Sequence, residues 1–99
     1  MPNDFKLAKA VRLMLTRLRI DSTVVNVQIS GGVMTLTGRL ERPYAEEAKR
    51  PELNVELLHE MDRQLRRVEG IYQINYMIEN WVQNSDGHWA RKRYKNFNY

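Results

Sequence analysis

Apolar and polar residues alternate in two short runs, Val25 to Ser30 and Val33 to Gly38, on either side of Gly31-Gly32. A period of two is that of a half-buried strand, and a two-residue glycine connection is that of a tight hairpin. Folding the runs about the glycine pair sets Ile29 opposite Met34, Val27 opposite Leu36 and Val25 opposite Gly38, all on one face. Asn26, Gln28, Ser30, Thr35, Thr37 and Arg39 fall on the other face, so the hairpin has one side to bury and one to leave wet. Further on, Tyr72, Ile74, Tyr76 and Ile78 alternate with Gln73, Asn75, Met77 and Glu79, which predicts a third one-sided strand. Gly38 has no side chain to fill the core, so a neighbouring segment is expected to press close against it.

Two other stretches follow helical spacing. Leu7, Val11, Met14, Leu15 and Leu18 recur at three- and four-residue steps after a capping Asn3 or Asp4, predicting a first helix from about Asp4 to about Arg19. Asp21-Ser22-Thr23 is turn chemistry between this helix and the hairpin. Leu57, Leu58, Met61, Leu65 and Val68 line one side of a second helix, predicted from about Pro51 to about Glu69 with Gly70 as its left-handed stop. Between them, Pro43 to Pro51 reads as a short helical insert broken at Pro51. The order α-β-β-α-β predicts an α+β fold: a two-layer sandwich with a three-stranded mixed sheet and both main helices on one face. The crossover through the second helix makes the third strand parallel to the second, and the pattern leaves open which neighbour it pairs with. Residues 1–82 are expected to form the domain and residues 83–99 a basic aromatic tail leaving it at the turn Asn84-Ser85-Asp86-Gly87.

Composition narrows the function classes. Ninety-nine residues support one modest core and disfavour a roomy internal active site. With no cysteine there is neither a disulfide nor a thiolate metal site nor a cysteine nucleophile. The start of the sequence reads neither as a secretory leader nor as a membrane span, which predicts a soluble, cytoplasmic protein with at most peripheral membrane association. The formal net charge is +4, and residues 83–99 carry +3 of it through Arg91, Lys92, Arg93 and Lys95 against Asp86. In the body, Lys6, Lys9, Arg12, Arg17 and Arg19 make the first helix basic, while Glu41, Glu46, Glu47, Glu52, Glu56, Glu60 and Asp62 make the middle acidic.

Candidate chemistry is thin. His59 and His88 are the two histidines, and a metal site would need the fold to place further ligands beside one of them. Ser22, Ser30 and Ser85 sit in turns without a nucleophile motif, and Gly31-Gly32 has no following helix to make a phosphate loop. The carboxylate run Glu46, Glu47, Glu52, Glu56 and Glu60 reads as a solvated helix surface rather than an acid/base pair. These readings predict no enzyme, no cofactor and no metal. The tail is the strongest signal: Trp89, Arg91, Lys92, Arg93, Tyr94, Lys95 and Phe97 interleave cations with rings, as a segment does that meets a lipid headgroup layer or stacks on nucleic-acid bases. The competing expectation is a frayed terminus whose charges serve solubility.

The hydrophobic-x-Val-x-hydrophobic run of Val25, Val27 and Ile29, then Gly32, Val33, Thr35, Leu36 and Gly38, then Val68, Gly70, Ile71, Ile74, Asn75 and Ile78, resembles the BON domain (bacterial OsmY and nodulation) over about residues 5–80. The resemblance implies a small non-catalytic binding module that contacts phospholipid surfaces in the bacterial envelope. The segment from Gly38 to Gly70 is longer than the family's usual link, which marks Pro43 to Pro51 as an addition with its own contact surface. Residues and resemblance together predict a binding module for an anionic phospholipid surface or an envelope-associated partner, met by the tail and the basic face of the first helix. The alternatives are an RNA-binding domain and an oligomeric adaptor. An acid-rich second helix and the lack of aromatic residues on the wet face of the hairpin make nucleic acid the weaker partner.

Overall fold

The computed structural model describes residues 4–43 and 53–92, so most of the proline-flanked insert, Tyr44 to Glu52, lies outside the described residues. The elements run α1 (Asp4–Arg17), β1 (Val25–Ser30), β2 (Val33–Gly38), α2 (Val55–Arg66), β3 (Gln73–Ile78), β4 (Trp81–Gln83) and β5 (Trp89–Arg91). The first three strands form a mixed sheet in the order β1-β2-β3, and β4 and β5 form a separate two-stranded sheet. The fold is α+β with the expected α-β-β-α-β core.

The hairpin register is the one its sequence pattern predicts: Ile29 pairs with Met34, Val27 with Leu36 and Val25 with Gly38. Gly31 and Gly32 make the two-residue connection with φ of 58° and 84°, the paired positive values of a type I′ turn, whose twist matches that of the strands it joins. β3 pairs parallel with β2, bringing Ile74 beside Met34, Tyr76 beside Leu36 and Ile78 beside Gly38. Three rungs therefore cross the sheet on one face: Ile29/Met34/Ile74, Val27/Leu36/Tyr76 and Val25/Gly38/Ile78.

Both helices cover that face. Val11 and Leu15 of α1 and Leu58, Met61 and Leu65 of α2 join Val25, Val27, Met34, Leu36 and Ile78 in one buried cluster. α1 ends two residues before its predicted boundary. Arg19 N–H bonds the Thr16 carbonyl at 3.0 Å and Ile20 N–H the Leu15 carbonyl at 2.9 Å, the crossed pair of a Schellman motif, with Ile20 and Leu15 both in the core. Arg19 takes the left-handed position of that motif at φ 65°. α2 starts later than predicted because Asn54 caps it: its side-chain oxygen accepts from Leu57 N–H at 2.7 Å.

The expected boundary after Val82 falls inside a strand. β4 and β5 pair antiparallel across Asn84 to His88, with Trp81 opposite Arg91 and Gln83 opposite Trp89, and both tryptophans are buried in the core. The folded unit thus continues at least to Lys92, and the Asn-Ser-Asp-Gly stretch is a hairpin turn within it. Asn80 ties the two sheets together. Its amide donates to the Leu40 carbonyl at 2.9 Å and accepts from Leu40 N–H at 3.0 Å, while its own carbonyl accepts from Lys92 N–H at 3.1 Å. Tyr72 departs from the predicted strand pattern. It precedes β3 and is 75% exposed, with its backbone N–H on the Gly32 carbonyl at 2.9 Å.

Gly38 is the close approach that the sequence predicts, since at φ 100° any Cβ would overlap the Val24 carbonyl. Gly38→Ala is expected to lower unfolding stability by about 2 kcal/mol or more, from a strained left-handed alanine plus that overlap. Urea unfolding monitored by tryptophan fluorescence measures it, and a loss within experimental error of zero would show that the β1–β2 register is not as described.

Candidate functional site

α1 presents two unlike sides. At about 100° per residue, Leu7, Ala8, Val11, Met14, Leu15 and Leu18 face the sheet, and Phe5, Lys6, Lys9, Leu13, Thr16 and Arg17 share the outward side. Two of these outward residues are apolar, Phe5 at 78% and Leu13 at 53% exposure. They sit two turns apart among three cations, a composition suited to the boundary between water and an anionic apolar surface. Leu13 and Phe5 were not singled out by sequence pattern, yet helical phase alone places them opposite the buried stripe.

Of the cations expected on this helix, Lys6, Lys9, Arg17 and Arg19 are exposed. Arg12 differs. Its guanidinium turns inward and donates to the Ser22 carbonyl at 3.1 Å and the Val25 carbonyl at 3.2 Å, so it fastens α1 to the start of β1.

The residues expected to bind through the tail separate. Trp89 is buried at 4% exposure, which corrects its assignment to a surface-binding set. Its ring stands edge-on to Tyr76 with centroids 4.7 Å apart, and its indole N–H is buried without an acceptor. Packing, rather than hydrogen bonding, holds it. Arg91 and Lys92 are exposed, and the Arg91 guanidinium lies 5.9 Å from the centroid of Trp81. Arg93, Tyr94, Lys95 and Phe97 lie outside the described residues.

The wet face of the sheet carries Asn26, Gln28, Ser30, Thr35 and Thr37, as the pattern predicts, and β3 adds Gln73, Asn75 and Met77. It is built of amides, hydroxyls and one thioether, not of the rings on which single-stranded RNA stacks. Two carboxylates of α2, Glu60 and Asp62, are engaged in ion pairs. Glu60 accepts from Arg63 and from Gln64, the latter at 2.7 Å, and these bonds hold its carboxyl below the usual value. Among the described residues, no group of three or more histidine, aspartate or glutamate side chains converges as a metal site. No described helix is long and apolar enough to cross a membrane.

A half-buried polar knot joins α2 to β3. Tyr76 O–H donates to one Asp62 oxygen at 2.7 Å, and Arg66 Nε donates to the other at 2.9 Å. Burial and the adjacent carboxylate push the Tyr76 phenol well above its ordinary value. No family model matches the chain, and no curated protein matches it.

A tyrosine whose phenol is raised on folding stabilises the protein fully below the unfolded tyrosine value, near 10, and loses that contribution as pH rises above it. Tyr76→Phe is expected to cost about 1 kcal/mol at neutral pH and to reduce the loss of stability above about pH 10. Denaturant midpoints of both proteins across the alkaline range measure this, and equal alkaline slopes would contradict the knot.

Proposed function

We propose that this protein is a BON-like, non-enzymatic binding module that meets anionic phospholipid surfaces through the outward side of α1. The observation that carries the reading is the exposure of Phe5 and Leu13 between Lys6, Lys9 and Arg17 on a helix whose other side is packed on the sheet. A helix held flat by its core can lay that outward side along a membrane plane, apolar side chains entering the acyl boundary and cations remaining at the headgroups. The order α-β-β-α-β and the one-sided sheet support the resemblance to the BON domain. Arg91 and Lys92 add exposed positive charge at the end of the described chain.

The energetics set a testable scale. Each cation near an anionic leaflet contributes about 1 kcal/mol. Lys9→Gln with Arg17→Gln is therefore expected to weaken binding to vesicles of phosphatidylglycerol and phosphatidylcholine in equal parts by roughly thirtyfold. Phe5→Ser with Leu13→Ser is expected to weaken it as well and to leave the salt-dependent part in place. Co-sedimentation reads both. Equal, negligible binding of the native chain to these vesicles and to phosphatidylcholine alone would overturn the reading.

An oligomeric adaptor is favoured by one separate observation. β3 ends the order of its sheet, and its residues Gln73 to Ile78 include neither a charge nor a proline, the devices that blunt a strand edge. Light scattering over a range of concentrations is expected to show mass rising above the monomer, and a strict monomer throughout would remove this reading.

A further inference from the structure

His59 and His88 are the only histidines in the chain, and the fold brings them together. Their ring centroids stand 6.0 Å apart with planes at 87°. His59 is half-buried on α2, and His88 is exposed at the end of the β4–β5 turn, so the pair bridges two elements distant in sequence. Their meeting depends on the terminal hairpin folding back over the helix, with β5 packed against α2.

Asp86 gives the pair a direction. One of its oxygens lies 3.2 Å from His88 Nδ1, and the other accepts the His88 backbone N–H at 3.3 Å. The carboxylate thereby holds the ring by its Nδ1 hydrogen and leaves Nε2 with a lone pair to offer. A carboxylate on the remote nitrogen is the usual outer partner of a metal-ligating histidine, fixing both tautomer and orientation. Imidazole nitrogens bind zinc at about 2.0–2.1 Å, which puts two ligating rings about 5 to 6.5 Å apart across the ion, depending on the angle at the metal. At the tetrahedral angle that zinc prefers the separation is about 5 Å, so the two rings, 6.0 Å apart here, close on the ion by about 1 Å.

We propose that His59 and His88 form a two-histidine site for a late first-row transition cation, zinc class, with Asp86 as the positioning residue on the His88 side. Imidazole suits such cations and not the hard magnesium or calcium ions, which take oxygen ligands. Two protein ligands leave the remaining positions to water, so the site is open and exchangeable, unlike a closed four-ligand structural zinc site. Bound metal clips the terminal hairpin to α2. The site shares no residue with the outward side of α1, and its success or failure is separate from that of membrane binding.

Isothermal titration of the full chain with zinc chloride alone, at neutral pH in a non-coordinating buffer, tests the site. One zinc per chain is expected, with no binding of magnesium. His59→Gln and His88→Gln are each expected to weaken zinc binding by roughly tenfold or more, and Asp86→Asn by about tenfold, on the scale of lost ligand support. Because a variant could lose the hairpin contact for other reasons, the native chain supplies a second reading: ring proton resonances of both histidines shift together as zinc is added. No zinc binding at millimolar concentration, affinity unchanged in either histidine variant, or a shift confined to one ring would overturn the site and leave the pair as ring packing only.

Discussion

The structure depends on a single alignment: three rungs of apolar side chains crossing β1, β2 and β3 on the same face of the sheet. Side chains alternate with a period of two, so a slip of one residue at the Gly31-Gly32 turn would carry Val25, Val27 and Ile29 to the wet side while Met34 and Leu36 stayed inside. The paired positive φ values of the two glycines fix the turn, and the turn fixes the register. β3 then extends the same rungs from the other side of β2, and only a sheet with one continuous apolar face gives α1 and α2 a common surface to cover. Gly38 belongs to the same constraint. It occupies the end rung between Val25 and Ile78 where the Val24 carbonyl leaves no room for a side chain.

A second tier of contacts adds the terminal hairpin to this frame. Trp81 and Trp89 lie on the paired strands β4 and β5 and both reach the core, Tyr76 receives the Trp89 ring, and Asp62 joins Tyr76 and Arg66 across α2 and β3. Asn80 serves the backbone of Leu40 as both donor and acceptor, standing in for a strand neighbour. What remains exposed is correspondingly specific. α1 keeps its apolar stripe on the sheet and Lys6, Lys9 and Arg17 outside, and Phe5 and Leu13 are left among those three cations because helical phase, not burial, decides their direction.

Much of the frame was legible because it rests on local periodicity. Ile29–Met34, Val27–Leu36 and Val25–Gly38 follow from counting outward from the glycines, and the stripes of α1 and α2 follow from steps of three and four. Boundaries were less so. Asn54 sets the start of α2 because its side chain reaches the Leu57 amide, and Arg19 takes the left-handed position that glycine most often fills. Trp89 misled through its neighbours: placed before Arg91, Lys92 and Arg93 it reads as part of a basic aromatic tail. The signal that identifies it is the turn Asn84-Ser85-Asp86-Gly87 flanked by Trp-x-Gln and Trp-x-Arg, which puts both indoles on one side of a hairpin. The meeting of His59 with His88, the Asn80 brace and the Asp62–Tyr76 bond join segments far apart in the chain, so no local pattern carries them.

The one-sided sheet thus decides which side of α1 packs inward and which faces out. Nuclear Overhauser contacts between backbone protons of neighbouring strands read it directly in solution. Cross-strand contacts joining Val27 with Leu36 and Leu36 with Tyr76 are the result this account predicts. Contacts displaced by one residue, pairing Val27 with Thr35 or Thr37, would contradict it.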